Sequence, residues 1–319
     1  MAKLQNLPIG QQYFAGIRED NNVYIDKTEY IYNLCLPTGR GYFLSRPRRF
    51  GKSLTLDTMH ELFNGNKALF EGLWIANKWD WTQKNPVIRL SFANIGHKSG
   101  LQAALIRALK DIALNFKLTL KSKEVGEAFN ELIQKVVAKE GRKVVVLIDE
   151  YDKPIVDYID PYDLTKACEQ RDILKDFFGI LKDASKDIRL LFITGVSKFS
   201  KVSIFSELNH LVDLTLHEKY AALCGYTQEE LEHYFAAHLE TMPDGTLDKM
   251  KYCMMVTVGM LRLLCTTLFR CLIFLIKRHI VTFGLKQVRQ RFLLSCCGNV
   301  LTINWRKEKL MMLFWIRLP

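Results

Sequence analysis

The chain lacks the cysteine spacings that staple or metallate small folds. Its eight cysteines include no CxxC pair and no His/Cys ligand spacing, so neither a zinc site nor a disulfide framework is indicated. A basic-then-apolar leader is also missing, which points to a cytoplasmic chain. Internal repeats and low-complexity linkers are absent. Acidic residues are scarce in one region. Residues 251–319 hold twelve of the 45 Lys and Arg but a single acid, Glu308. The net charge of +11 therefore sits in that tail, and residues 1–250 balance. A basic nucleic-acid-binding body is disfavoured on that distribution. The 319 residues, 49% of them hydrophobic, suffice for one large or two modest domains.

What is present centres on Gly41–Leu56, GYFLSRPRRFGKSLTL. Tyr42-Phe43-Leu44 reads as a buried strand. From Lys52 through Thr55, Met59, Leu62 and Phe63 the apolar spacing is helical. A strand, a tight loop, Gly51-Lys52-Ser53 and a helix form the context of a phosphate-binding loop. There, backbone N–H groups and the helix N-terminus face the anion, lysine reaches the terminal phosphates, and the serine hydroxyl takes Mg²⁺. The usual first glycine is missing, with Arg46 in its place. On its own the run also reads as a basic surface turn before a helix.

Two later strands strengthen the first reading. Val144–Ile148 is an apolar run buried on both faces, as in parallel sheets, and it ends in Asp149 and Glu150. Ligands of α/β sheets sit at strand carboxyl ends. Asp149 is placed to hold Mg²⁺ and Glu150 to orient and deprotonate the attacking water. Arg189–Gly195 is another buried strand. Its Thr194, or Ser197 beyond it, serves as the polar sensor of phosphate or water. Asp26 and Lys27 read either as groups approaching the nucleotide or as solvated strand-end charges. Trp74, Trp79 and Trp81 read as packing rather than as stacking platforms. Thr227 and Glu230 form a capping box. Together these signals predict an α/β fold: a P-loop NTPase of the AAA+/ASCE type, a parallel sheet flanked by helices. In it Lys52, Glu150 and Thr194 are the catalytic candidates, and Ser53 and Asp149 the metal ligands.

The run Ser45–Leu54 resembles the bacterial AAA-ATPase-like family, whose members often carry a C-terminal PD-(D/E)XK nuclease-like domain. Further matches are Leu7–Gly10, Tyr24–Thr28, Leu147–Pro154 (LIDEYDKP) and Thr194–Phe205 (TGVSKFSKVSIF). Arginine is normal in that family where Arg46 stands. The resemblance implies ATP as the nucleotide, cradled by Arg46, Pro47, Arg48, Arg49, Phe50, Gly51, Lys52, Ser53 and Leu54. It also implies a lid domain beginning near Gly225. The expected organisation is an N-terminal segment over 1–40, an ATPase core over 41–215 and a truncated helical lid over 216–252. A nuclease or nucleic-acid partner and an oligomeric assembly stay open.

After Tyr252 the family patterns stop. Cys253–Met260 can be back-translated so that one inserted G gives W-Y-D-G-Y-S-W-D, the pattern the family has there. The same frame recovers V-Y-N-P-F-S-L from Leu264–Cys271 and F-W-F-E-T-G-T from Thr282–Arg289. Residues 253–319 are therefore expected to be out of frame and non-native. Their apolar run Leu261–Ile276 is no membrane span, because Arg262 and Arg270 interrupt it and Lys277-Arg278 follow.

Overall fold

Strand β3 (Val144–Asp149) lies at the heart of the molecule, and all six of its residues are buried. In this computed structural model, the described residues are 4–96, 100–158, 164–196, 204–205, 208 and 211–242. The expectations for Ser197 and for residues 253–319 lie outside them.

Around β3 the chain builds β1 (Arg40–Ser45), β2 (Val87–Ser91), β4 (Ile188–Gly195) and β5 (Leu211–Asp213). All pair in parallel, in the order β2-β3-β4-β1-β5. Chain neighbours β1 and β2 are thus separated by β3 and β4. Side chains alternate between two cores, as strand geometry requires. Val144, Val146 and Ile148 face α4 (Leu101–Asn115), α5 (Val125–Glu140) and α7 (Leu164–Asp183). Val145 and Leu147 face α1 (Phe14–Glu19), α2 (Thr28–Cys35) and α3 (Lys52–Asn64). Burial on both faces is what the β-branched run of β3 predicts.

Most expected elements fall where periodicity puts them, and the differences have local causes. Helix α4 stops at Asn115, where Lys117 turns left-handed at φ 53° and closes it. Helix α7 begins at Leu164, and its first turns are mostly polar and carry little apolar period. The three-residue β5 was not anticipated at all. The capping box is formed: Thr227 Oγ1 accepts from the Glu230 amide, and Glu230 accepts from the Thr227 amide, opening α8 (Gln228–Tyr234). A short α9 (Ala236–Leu239) follows. A third, small core joins the N-terminal segment to α8 through Val23, Ile25, Tyr226, Leu231 and Phe235. The tryptophans pack as expected: Trp79 against Phe63, Trp74 against Tyr32, and Trp81 against Phe70. Among the described residues no helix is long and apolar enough to cross a membrane.

Candidate functional site

Parallel pairing fixes where the candidate residues meet. Ser45 at the end of β1 lies in register with Gly195 at the end of β4, and Ile193 lies in register with Ile148 of β3. The loop after β1 and the carboxylates after β3 therefore emerge at the same end of the sheet, flanking Thr194.

The loop is shaped by backbone. Gly51 is left-handed at φ 93° and forms the N-cap of α3; nothing lies within 4 Å of where its Cβ would be. A glycine there gives the turn its sign and leaves the cradle open. Lys52 is buried, and its Nζ donates to the carbonyls of Arg46 at 2.9 Å and Pro47 at 3.0 Å. The ammonium is thus held across the mouth of its own loop. Burial lowers its pKa, and the carboxylates of Asp149, Asp152 and Glu150 oppose that shift. Pro47, Arg48 and Arg49 are exposed. Arg49 is also left-handed, at φ 68°. Ser53 and Leu54 follow in the first turn of α3.

Arg46, standing where a glycine is usual, is buried and turned inward. Its guanidinium donates to the Thr215 carbonyl at 2.5 Å and to the Ser45 carbonyl at 3.2 Å. Its amide continues the β1–β4 pairing onto the Gly195 carbonyl. This side chain braces the loop against Thr215, just after β5. Phe50 is buried too, and its carbonyl accepts from the Gly225 amide at 2.9 Å, tying the loop to the segment that leads into α8.

On the other side, Thr194 Oγ1 donates to Asp149 Oδ1 at 2.6 Å, and both residues are buried. Glu150 stands beside them, half-buried and left-handed at φ 51°. Burial raises its pKa, and the neighbouring Asp149 raises it further. A carboxyl group pushed towards neutrality beside a carboxylate is the arrangement that suits proton transfer. The structure thus brings Lys52, Asp149, Glu150 and Thr194 to one end of the sheet.

Asp26 and Lys27 are neither solvated nor free to approach a ligand. Asp26 accepts from the Thr28 amide and hydroxyl and from the Trp74 amide. Lys27 pairs with Glu230 of α8. Lys27 thus latches the N-terminal segment to α8, and Asp26 ties it to the turn at Trp74. Beside that latch lies a narrow cleft of about 40 Å³, bounded by Pro8, Val23, Tyr24, Phe50, Leu54 and Tyr226. Pro8, Val23 and Tyr226 were not singled out for this place. The Leu7–Gly10 and Tyr24–Thr28 runs flagged the N-terminal segment without giving it a role.

The residues present fit a nucleotide triphosphate with a divalent cation. Were such a group bound, the open glycine cradle and the lysine across it would supply donors and positive charge, and the buried Asp149 a carboxylate for the cation. The family model described as "Predicted AAA-ATPase" matches residues 8–205. A protein of Azotobacter chroococcum mcd 1, described as "Uncharacterized protein in vnfD 5'region", is 44% identical over 238 residues, 74% of this chain and 46% of that relative. The chain thus spans less than half the length of that relative. No solved structure matches the chain significantly. With its parallel sheet, its loop geometry and a match covering most of its length, the chain belongs to the predicted AAA-ATPase family.

Proposed function

We propose that the chain binds ATP with Mg²⁺ at the Arg46–Leu54 loop and hydrolyses the terminal phosphate, coupling turnover to movement of the lid segment. Lys52 neutralises the terminal phosphates, Gly51 admits the backbone close to them, and Ser53 and Asp149 hold the metal. Glu150 takes the proton of the attacking water, and Thr194 keeps Asp149 in place. Bound Mg²⁺ supplies charge neutralisation at the phosphates. The observation that carries this reading is the 2.6 Å bond from Thr194 to Asp149 with Glu150 one residue further on. The link from Phe50 to Gly225 gives the loop a path to the lid.

A second reading is a nucleotide-gated scaffold, regulating a nuclease or nucleic-acid partner without efficient turnover. It is favoured by Lys52, whose ammonium is engaged with carbonyls of its own loop. Single-turnover phosphate release separates the two. The ATPase reading expects wild-type release and a Glu150→Gln variant that binds ATP but falls at least about 100-fold in rate. Equal rates in the two proteins would remove Glu150 from the chemistry and favour the scaffold. Turnover is expected to be slow in this chain, since residues 253–319 are proposed to be read out of frame and the lid to be incomplete. Resequencing across codon 253 tests that proposal, and an unbroken frame without the extra base contradicts it.

A further inference from the structure

The turn after β3 is tied to the end of β4 in more places than strand pairing supplies. The β3–β4 ladder ends at Ile148 and Ile193. Beyond it, Thr194 Oγ1 donates to Asp149 Oδ1 at 2.6 Å, the Tyr151 amide to the Thr194 carbonyl at 3.1 Å, and the Val196 amide to Asp152 Oδ2 at 3.0 Å.

Asp152 departs from its local preference. Asp152-Lys153-Pro154 reads as a helix start, with aspartate capping and proline in the first turn. The short helix α6 (Lys153–Val156) does begin there, and Asp152 holds the N-cap position, yet its side chain makes no cap bond. Bonding to the adjacent turn is the local option for an aspartate. Here the carboxylate reaches instead to the end of another strand and is buried, 2% exposed.

Gly195 meets it from the other side. A Cβ at Gly195 would lie 2.3 and 2.6 Å from the Tyr151 ring and 2.8 Å from Asp152 Oδ1. Gly195 is not among the glycines with positive φ. Its missing side chain serves close approach of the two turns rather than backbone freedom. Between the tied residues stands Glu150, left-handed at φ 51°. That conformation is costly for a non-glycine residue and persists where the surroundings over-determine it.

We propose that Asp152 is a positioning residue that clamps the Thr194–Val196 turn onto the Asp149–Asp152 turn, and that the clamp holds Glu150 in its left-handed conformation. The clamp stands on the bonds above; its catalytic consequence rests on the ATPase reading. The clamp needs an acceptor oxygen for the Val196 amide, and asparagine has one. Asp152→Asn therefore keeps it and Asp152→Ala removes it. Gly195→Ala wedges it open with the Asp152 carboxylate still present.

The test uses the full chain and three readouts. Deuterium exchange of a peptide covering 194–196 is followed without nucleotide, affinity for a fluorescent ATP analogue is titrated, and phosphate release is timed in a single turnover over a range of Mg²⁺. Asp152→Ala and Gly195→Ala are expected to speed exchange roughly tenfold, the loss of one buried hydrogen bond. Affinity stays within about threefold, and release slows about 100-fold through misplacement of Glu150. Asp152→Asn stays near wild type in all three. Should Asp152→Ala fail to fold, Asp152→Ser, too short to reach Val196, replaces it. An Asp152→Asn variant as slow as Asp152→Ala, with a raised Mg²⁺ requirement, would make Asp152 a metal ligand and overturn the proposal. Unchanged exchange in Asp152→Ala overturns it too, as does faster exchange with unchanged release. If wild type releases no phosphate, the ATPase reading fails, while exchange still decides the clamp.

Discussion

The two ends of the sheet handle charge and strain differently. At the amino end, basic side chains sit at the surface and answer carbonyls. Lys139 donates to Phe116 at 2.7 Å, Arg142 to Lys84 at 2.7 Å, and Arg189 to Cys35 and Pro37 at 2.7 and 2.8 Å. Of the left-handed residues there, Gly65, Lys117 and Gly141 each close a helix, and Gly39 turns the chain into β1. At the carboxyl end Lys52, Asp149 and Asp152 are buried, and Arg49 and Glu150 are left-handed without closing any helix. The larger cavity, about 570 Å³ and lined by Lys84, Arg89, Phe116 and Arg142, belongs to the amino end. There Arg142 donates to the Lys84 carbonyl and Arg89 pairs with Asp57. Room alone therefore does not mark the working end; buried charge and strain do.

Several substitutions sharpen this contrast. The first effect, on affinity, is expected at Gly51. Gly51→Ala forces a side chain into φ 93° at the loop itself. Affinity for ATP should drop about tenfold or more, for a strain of about 1–2 kcal/mol. Isothermal titration reads it, and wild-type affinity in Gly51→Ala would show that the loop does not need its left-handed turn.

A matched pair comes next. Glu150→Gly and Lys117→Gly both relieve a left-handed non-glycine residue, at opposite ends of the sheet. Each should stabilise the fold by up to about 1 kcal/mol after the entropy cost of glycine is subtracted. Only Glu150→Gly should abolish turnover, a stability gained at the expense of function. Denaturant melts and phosphate release on both variants check this. Equal loss of turnover in both would erase the distinction between the ends.

The pH dependence follows from the raised pKa of Glu150, caused first by burial and then by Asp149. Its folded pKa lies above the ordinary 4.5, so the folded state holds that proton more tightly than the unfolded chain. The resulting stability is full below 4.5 and is lost as pH rises through the folded pKa. Glu150→Gln, which cannot ionise, should therefore melt higher than wild type at neutral pH, and the gap should close towards pH 4. A gap that is unchanged with pH would show that the carboxyl group is not destabilised in the fold.

The smallest effect is at the amino end. Arg142→Ala should leave ATP affinity unchanged and stability within about 0.5 kcal/mol, since it removes one exposed bond to a carbonyl. A loss of affinity there would mean that the large cavity is coupled to the site.

Much of this contrast was legible in sequence because it is local. The apolar run ending in Asp149-Glu150 and the Gly51-Lys52-Ser53 turn declare their conformations within a few residues. Partners set by strand register were not legible. That Arg46 braces Thr215 across 169 positions, or that Lys27 reaches Glu230 across 203, depends on the assembled sheet and on the packing of α8. Asp152 misleads for the same reason: its neighbours announce a helix cap, and tertiary contacts redirect it. The left-handed backbone of Glu150 has no sequence signal, since glycine and asparagine are the residues that advertise one.

The central claim is that the loop after β1 holds ATP. Titration of a fluorescent ATP analogue into wild type and Lys52→Ala, with unlabelled ATP as competitor and Mg²⁺ present, tests it most directly. Wild type should bind and be competed, and Lys52→Ala should not bind. Equal, competable binding by the two proteins would place the nucleotide elsewhere and contradict the account.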